Sequence, residues 1–157
     1  MRYTRVDSPV GELLLAGDGE SLARLGFAGA VPPHGAHPDH DAFAPVIEQL
    51  EQYFAGERRT FDLSLDLRGS DFQRDVWSAL LEIPYGETAT YGDIADRVGR
   101  PGKARAVGRA NGSNPIALIV PCHRVIVSDG TLTGYGGGLE RKRLLLDLEA
   151  GRSQLAV

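Results

Sequence analysis

A single cysteine, Cys122, in 157 residues is the most restrictive feature of this chain. It excludes an internal disulfide and the clustered thiolates of the usual structural zinc site. Long apolar runs are missing as well. None approaches the ~18 residues that a membrane-spanning helix needs, and Met1 to Val10 has neither a basic start nor an apolar signal core. These absences predict a cytoplasmic protein without membrane association. Acidic side chains are absent from residues 97–128, which hold 6 Lys/Arg. Residues 1–96 carry 7 basic and 17 acidic side chains and residues 129–157 carry 4 of each, so the formal net charge of -4 conceals a polarised chain. The whole repels a polyanion, whereas the acid-free segment can attract one. Internal repeats and low-complexity tracts are also absent. The 20 glycines and 9 prolines imply many turns in an otherwise ordinary globular composition.

Near the N-terminus, apolar stretches at Tyr3 to Val6, Glu12 to Ala16 and Leu22 to Phe27 are separated by Ser8-Pro9-Val10-Gly11 and Asp18-Gly19-Glu20. They read as antiparallel strands joined by tight turns. Val31 to His40, with three prolines and three histidines, reads as a loop, and such a polar loop without ligand spacing is expected to hold no metal. Phe43, Val46, Ile47, Leu50, Tyr53 and Phe54 follow helical spacing up to Ala55-Gly56. Phe61, Leu63, Leu65 and Leu67 alternate with polar residues, which predicts a half-buried strand before a linker at Arg68 to Ser70. The expected division is therefore 1–69 and 70–157.

The second part opens on a capping-box pattern, Ser70-Asp71-Phe72-Gln73, and a helix running to Pro84-Tyr85-Gly86. Another such pattern, Thr90-Tyr91-Gly92-Asp93, starts a short helix, and Lys103 to Asn111 forms the next, with Ala104, Val107 and Gly108 inward. Two short helices around Gly99-Arg100-Pro101-Gly102 predict a helix-turn-helix. Arg100, Lys103, Arg105 and Arg109 flank or occupy the second helix, where Ala106 and other small residues allow close approach to a partner. Ile116 to Val120 and Val125 to Val127 read as short strands, and Leu139 to Glu149 as a closing helix. The fold class is α+β: a small N-terminal antiparallel sheet with one helix, joined to a mainly helical part with a helix-turn-helix and a short sheet around the cysteine.

Between the last two apolar runs lies Pro121-Cys122-His123-Arg124-Val125. A free thiol has a pKa of about 8.5 and little thiolate at neutral pH, so a nucleophilic cysteine needs a base beside it. His123 is that base by position. Adjacent residues on extended backbone point to opposite sides, so the pair can cooperate only where the chain bends or a water bridges them. Pro121 is consistent with a bend.

This stretch resembles the active-site motif of the O6-alkylguanine-DNA alkyltransferases, also called methylated-DNA-protein-cysteine methyltransferases, and the resemblance runs over Phe72 to Glu149. It implies an alkyl acceptor at Cys122, a base acting through water at His123, and Glu149 on the imidazole's other nitrogen. It assigns Asn114 to the turn beneath the site, Tyr91 to rotating the nucleotide and bonding the guanine, and Arg105 to the gap the base leaves. Val125, Tyr135, Gly136 and Gly137 join Tyr91 around the substrate, while Lys103, Arg109, Ala106, Asn111 and Arg100 join Arg105 on DNA. The implied partner is double-stranded DNA containing O6-alkylguanine, bound by a monomer with no cofactor. O4-alkylthymine is a further implied substrate.

Departures from some relatives are informative. The chain lacks the cysteines of an N-terminal zinc site, has Asn111 where some place methionine, Gly136 where some place serine and Ala117 where others have proline. Rival readings are a damage sensor that holds the base without accepting its alkyl group, a thiol hydrolase built on Cys122, His123 and Glu149, and a redox-sensing DNA-binding protein.

Overall fold

The computed structural model describes residues 1–129, 135 and 137–151. Strands β1 (Arg2–Val6), β2 (Leu13–Gly17) and β3 (Leu22–Gly26) form an antiparallel meander in the order β3-β2-β1. Both turn signals act as expected: Gly11 N–H donates to Ser8 at 3.0 Å, and the Asp18 carboxylate accepts from the Glu20 and Ser21 amides at 2.8 Å. The presumed loop Val31 to His40 contains a correction. His37–Pro38 forms a two-residue strand, β4, that pairs parallel with β1. Proline is tolerated there because β4 is an edge strand.

Helix α1 (Ala44–Phe54) buries Val46, Leu50, Tyr53 and Phe54, the stripe that the helical spacing predicts. The alternating segment Phe61 to Leu67 does not become a strand. It makes one parallel bridge, Leu22 to Leu65, and otherwise runs extended, because β3 offers it only the Leu22 amide and carbonyl. Its leucines are half-buried, so the alternation reports burial without a ladder.

Helix α2 (Asp71–Leu81) and helix α3 (Tyr91–Arg97) both begin with complete capping boxes, Ser70 with Gln73 and Thr90 with Asp93. Each cap satisfies amides that a helix start leaves free and contributes about 1 kcal/mol. Helix α4 (Ala104–Gly112) follows α3 across a turn in which Gly99 and Gly102 take φ of +75° and +81°, conformations that favour glycine. Its buried face is Val107, Ala110 and Asn111. Ala104 and Gly108, expected inward, are only partly covered, because Trp77 of α2 packs farther along the helix and donates its indole N–H to the Ala110 carbonyl at 2.8 Å.

Ile116 to Val120 also departs from expectation. It is a tight turn: Leu118 has a φ of +72°, which costs a leucine on the order of 1–2 kcal/mol. Asn114 supplies what a ladder would have, accepting from Ile116 N–H at 3.0 Å and donating to the Val120 carbonyl at 2.8 Å. Burial of Ile116, Leu118, Ile119 and Val120 offsets the strain. The edge strand β3 holds this turn, since Leu25 donates to Pro115 at 2.9 Å and accepts from Ala117 at 3.2 Å. Strand β5 (Ala89–Thr90) pairs parallel with β6 (Val125–Ile126), and α5 (Leu139–Glu149) closes the chain over them. Among the described residues, no helix is long and apolar enough to cross a membrane.

Candidate active site

Cys122, His123 and Arg124 form one turn of 3-10 helix after Pro121, so the backbone bends where the chemistry requires it. From that turn Cys122 lines a cavity, while His123 and Arg124 both reach Glu149. Cys122, 5% exposed, lines a cavity of about 260 Å³ together with Asn111, Asn114, Ala117, Tyr135 and Gly137. That volume lies just below the usual range for small-molecule pockets, ~300–1,000 Å³. The opposite wall is Leu25, Gly26, Phe27, Ala28 and Ala30, from β3 and the residues after it. Phe27 meets Tyr135 edge-on, with ring centroids 5.9 Å apart, and the Arg141 guanidinium sits over the Phe27 ring at 5.3 Å. Gly137 fits between the two rings only as glycine, since a Cβ there would lie 2.6 Å from Phe27.

His123, next on the same turn, is fully buried. Its Nε2 lies 2.8 Å from Glu149 Oε2, the last residue of α5. Glu149 is crowded with donors. Oε2 also accepts from the Tyr53 hydroxyl at 2.6 Å and from Arg124 at 2.9 Å, while Oε1 accepts from Arg124 Nε at 2.7 Å. Burial would raise the Glu149 carboxyl, but the hydrogen bonds and charges of His123 and Arg124 outweigh it and hold it down at about 2. A carboxylate can only accept, so Nε2 must carry hydrogen and Nδ1 must present its lone pair. Burial, helped by the Arg124 and Lys142 charges and opposed by Glu149, lowers the His123 pKa and keeps the ring neutral at neutral pH. Its Nδ1 is buried and makes no hydrogen bond among the described residues. The imidazole is therefore set up to take a proton at Nδ1.

Burial pushes the Cys122 thiol up, and the Asn114 and Tyr135 side chains with nearby backbone amides oppose that only in part. The thiol is thus protonated at rest and needs the base. The Tyr135 hydroxyl lies buried near the sulfur without a well-formed hydrogen bond.

The remaining expected residues divide into three groups. Arg100, Lys103, Arg105 and Arg109 are all exposed on α4 and the turn before it, none ion-paired with another described residue, and Ala106 lies half-buried among them. Tyr91 and Val125 do not line the cavity. Tyr91, the first residue of α3, lies with its ring against Gly108 of α4, and Val125 is buried in β6 with its carbonyl accepting from Lys142 Nζ at 2.6 Å. Asn111 requires a correction. Expected on the DNA side of α4, it is 4% exposed and turned inward, its amide donating to the Cys122 carbonyl at 3.4 Å. Gly136 lies outside the described residues.

Sequence reasoning missed Tyr53, Arg124 and Phe27 as parts of the site. Tyr53 sits in the apolar stripe of α1 and reads as core, and Phe27 reads as a strand end. Arg124 did carry a signal: an arginine between His123 and the apolar run Val125-Ile126-Val127 needs a carboxylate partner if it is buried.

A helix-turn-helix carrying unpaired cations, coupled to a cavity-lining cysteine backed by a histidine and a buried carboxylate, defines a thiol-acceptor protein with a nucleic-acid-binding element. Comparison with known proteins narrows the class. Residues 71–151 match the model of the 6-O-methylguanine DNA methyltransferase DNA binding domain, and residues 1–67 match that family's ribonuclease-like domain. The chain is 58% identical over 156 residues to a methylated-DNA--protein-cysteine methyltransferase of Mycobacterium tuberculosis, covering 98% of this chain and 94% of the relative. A protein of the same description from Methanosarcina acetivorans is 50% identical over 153 residues, covering 95% of this chain and 98% of the relative. The crystal structure of Mycobacterium tuberculosis OGT in complex with DNA superimposes with a TM-score of 0.94 at 57% identity, covering 98% of this chain and 95% of that one. The chain belongs to the 6-O-methylguanine DNA methyltransferase family.

Proposed function

We propose that this protein reverses alkylation damage in DNA by irreversible transfer of the alkyl group from O6-alkylguanine, and from O4-alkylthymine, to Cys122, one group per molecule. The observation that carries this reading is a cavity-lining thiol, Cys122, on the same 3-10 turn as a buried imidazole that Glu149 orients. Binding to double-stranded DNA, supported by the relative solved with DNA, falls to the unpaired cations of α4. A monomer acting in the cytoplasm, with the chain divided near residues 69 and 70 and no cofactor, completes the reading.

The damaged base leaves the duplex at a cost of a few kcal/mol, less where alkylation has weakened its pairing. His123 Nδ1 takes the thiol proton through a water. The thiolate forms a carbon–sulfur bond as the carbon–O6 bond breaks, and the bonding pair goes to the guanine. A proton donated to the purine leaves neutral guanine; the Tyr91 phenol is the donor that the resemblance assigns, and the proton held by His123 restores it, so no net charge remains. The product is a thioether, which has no easy hydrolysis route, so the protein is consumed.

Incubation with duplex DNA containing O6-methylguanine is expected to place one methyl group on the peptide bearing Cys122, read by mass spectrometry. Repaired DNA beside unmodified protein would sink direct transfer, and repeated turnover would favour a hydrolase. Arg105 is the exposed α4 cation assigned to the gap in the duplex. Arg105→Ala should slow repair of duplex DNA by about tenfold or more, equivalent to ~1.4 kcal/mol of flipping cost. Reaction with the free alkylated base should change far less, and equal slowing of both would remove Arg105 from that role.

A further inference from the structure

Tyr53 is fully buried on the apolar stripe of α1, its ring packed against Phe54, Phe61 and Tyr85 with centroids 5.2, 5.5 and 6.1 Å away. Packing alone would accept phenylalanine there. The hydroxyl is the added feature, and it donates at 2.6 Å to Glu149 Oε2, the same oxygen that holds His123 Nε2 at 2.8 Å. Burial, with the Glu149 charge beside it, raises the pKa of this phenol, so it keeps its proton and acts as a donor.

A carboxylate facing His123 alone would concentrate its charge on Nε2–H, stabilise the imidazolium and leave Nδ1 protonated at rest. Each further donor draws that charge away. Arg124 donates to both carboxylate oxygens from the turn that carries the cysteine, and the Gly86 amide makes a long contact of 3.5 Å to Oε1. Tyr53 adds its donor from the N-terminal stretch, directly on the oxygen that His123 uses. The other titratable groups facing the pair are Lys142 on α5, whose charge opposes the imidazolium, the Cys122 thiol, and the phenols of Tyr85 and Tyr135, which burial keeps neutral. We infer that Tyr53 is a positioning residue for the transfer, whose hydroxyl draws charge from Glu149 Oε2 and so keeps the His123 imidazole free to take the thiol proton at neutral pH. The inference rests on the transfer reading and deepens it, because it places part of the control of the base on α1, far from the motif in the chain.

Single-turnover methyl transfer from duplex DNA containing O6-methylguanine, measured across pH for wild type and Tyr53→Phe, tests this. Without the hydroxyl, Oε2 pulls harder on Nε2–H, the imidazolium gains stability, and the acid limb of the profile moves to higher pH. On that limb the variant is expected to be about threefold to tenfold slower, a displacement of roughly half a unit to one unit. Above the limb its more basic imidazole should be about twofold faster, so the two profiles cross. A fluorotyrosine placed at position 53 has a more acidic phenol in nearly the same volume and should move the limb the other way, which keeps the test decisive should the phenylalanine variant fold poorly. A role confined to packing slows transfer by one factor at every pH and leaves the limb in place, and that result overturns the inference, as does an unchanged profile. In a titration followed by nitrogen NMR, His123 should take up its proton at higher pH in Tyr53→Phe than in wild type, and coincident titrations overturn the inference as well. Failure of the underlying reading looks different: Cys122 then stays unmodified in the wild-type protein, while the imidazole titration still judges Tyr53.

Discussion

With serine at position 122, no methyl group is expected to reach the protein, while binding to alkylated duplex DNA persists. An oxygen nucleophile here begins far more basic than a thiol and is a much weaker attacking group toward carbon, and a single neutral imidazole cannot close that difference. The same burial that raises the Cys122 thiol would raise a hydroxyl further. Binding survives because the cations assigned to DNA, Lys103 at the start of α4 and Arg105 and Arg109 on it, are exposed and do not line the cavity at Cys122. Phosphate contacts supply most of the affinity and carry its salt dependence. Mass spectrometry of the protein together with a filter-binding titration at two salt concentrations checks both halves. A Cys122→Ser protein that still removes the methyl group would refute the acceptor assignment, and one that no longer binds DNA would show that the substitution disturbs more than the nucleophile.

Replacing Glu149 by glutamine should both destabilise the fold and slow transfer. The carboxylate neutralises the buried Arg124 and orients His123, and removing one partner of a buried charge pair typically costs ~3–5 kcal/mol. An amide also cannot accept from every donor that crowds the native oxygens, so the His123 tautomer is no longer fixed. Transfer should slow by on the order of 10²-fold, the scale of a misplaced general base. Urea denaturation and single-turnover kinetics measure the two effects. An unchanged denaturation midpoint would contradict the structural claim, and an unchanged rate the catalytic one. The same group dictates an acid limit. Its pKa falls on folding from 4.5 to about 2, so its contribution to stability is complete above pH 4.5 and drains away as the pH falls toward 2. Glu149→Gln should flatten the stability profile across that interval.

Much of this was legible in the sequence because local chemistry and global fold agree. The Ser70–Gln73 and Thr90–Asp93 pairs mark the starts of α2 and α3, and the turn signals at Ser8 and Asp18 set the meander. Ile116 to Val120 was misread because a short apolar run has no period to separate a buried strand from a buried turn. What decides between them is the Asn114 carboxamide, a side chain outside the run. The phase of α4 was misread for a related reason. Small residues on every face let the helix rotate, and the buried Trp77 of α2 selects the face containing Asn111. Cys122 and His123 stand out in the sequence from motif chemistry and Glu149 from the family resemblance, yet the cavity wall at Phe27 and the hydroxyl of Tyr53 do not. Their contacts span more than a hundred positions in one case and 96 in the other, and nothing near them in the chain distinguishes them from core.

The hydroxyl of Tyr53 has a consequence for anyone who would transplant the reactive half. A fragment starting at residue 70 keeps the whole motif and the helix-turn-helix, yet it removes one of the donors on Glu149 and the wall formed by Phe27 and Ala28. It also strips the turn at 115–117 of the strand that holds it. The reaction vessel is thus cast from two distant stretches of one polypeptide, and the N-terminal stretch is a component of the reagent rather than its handle.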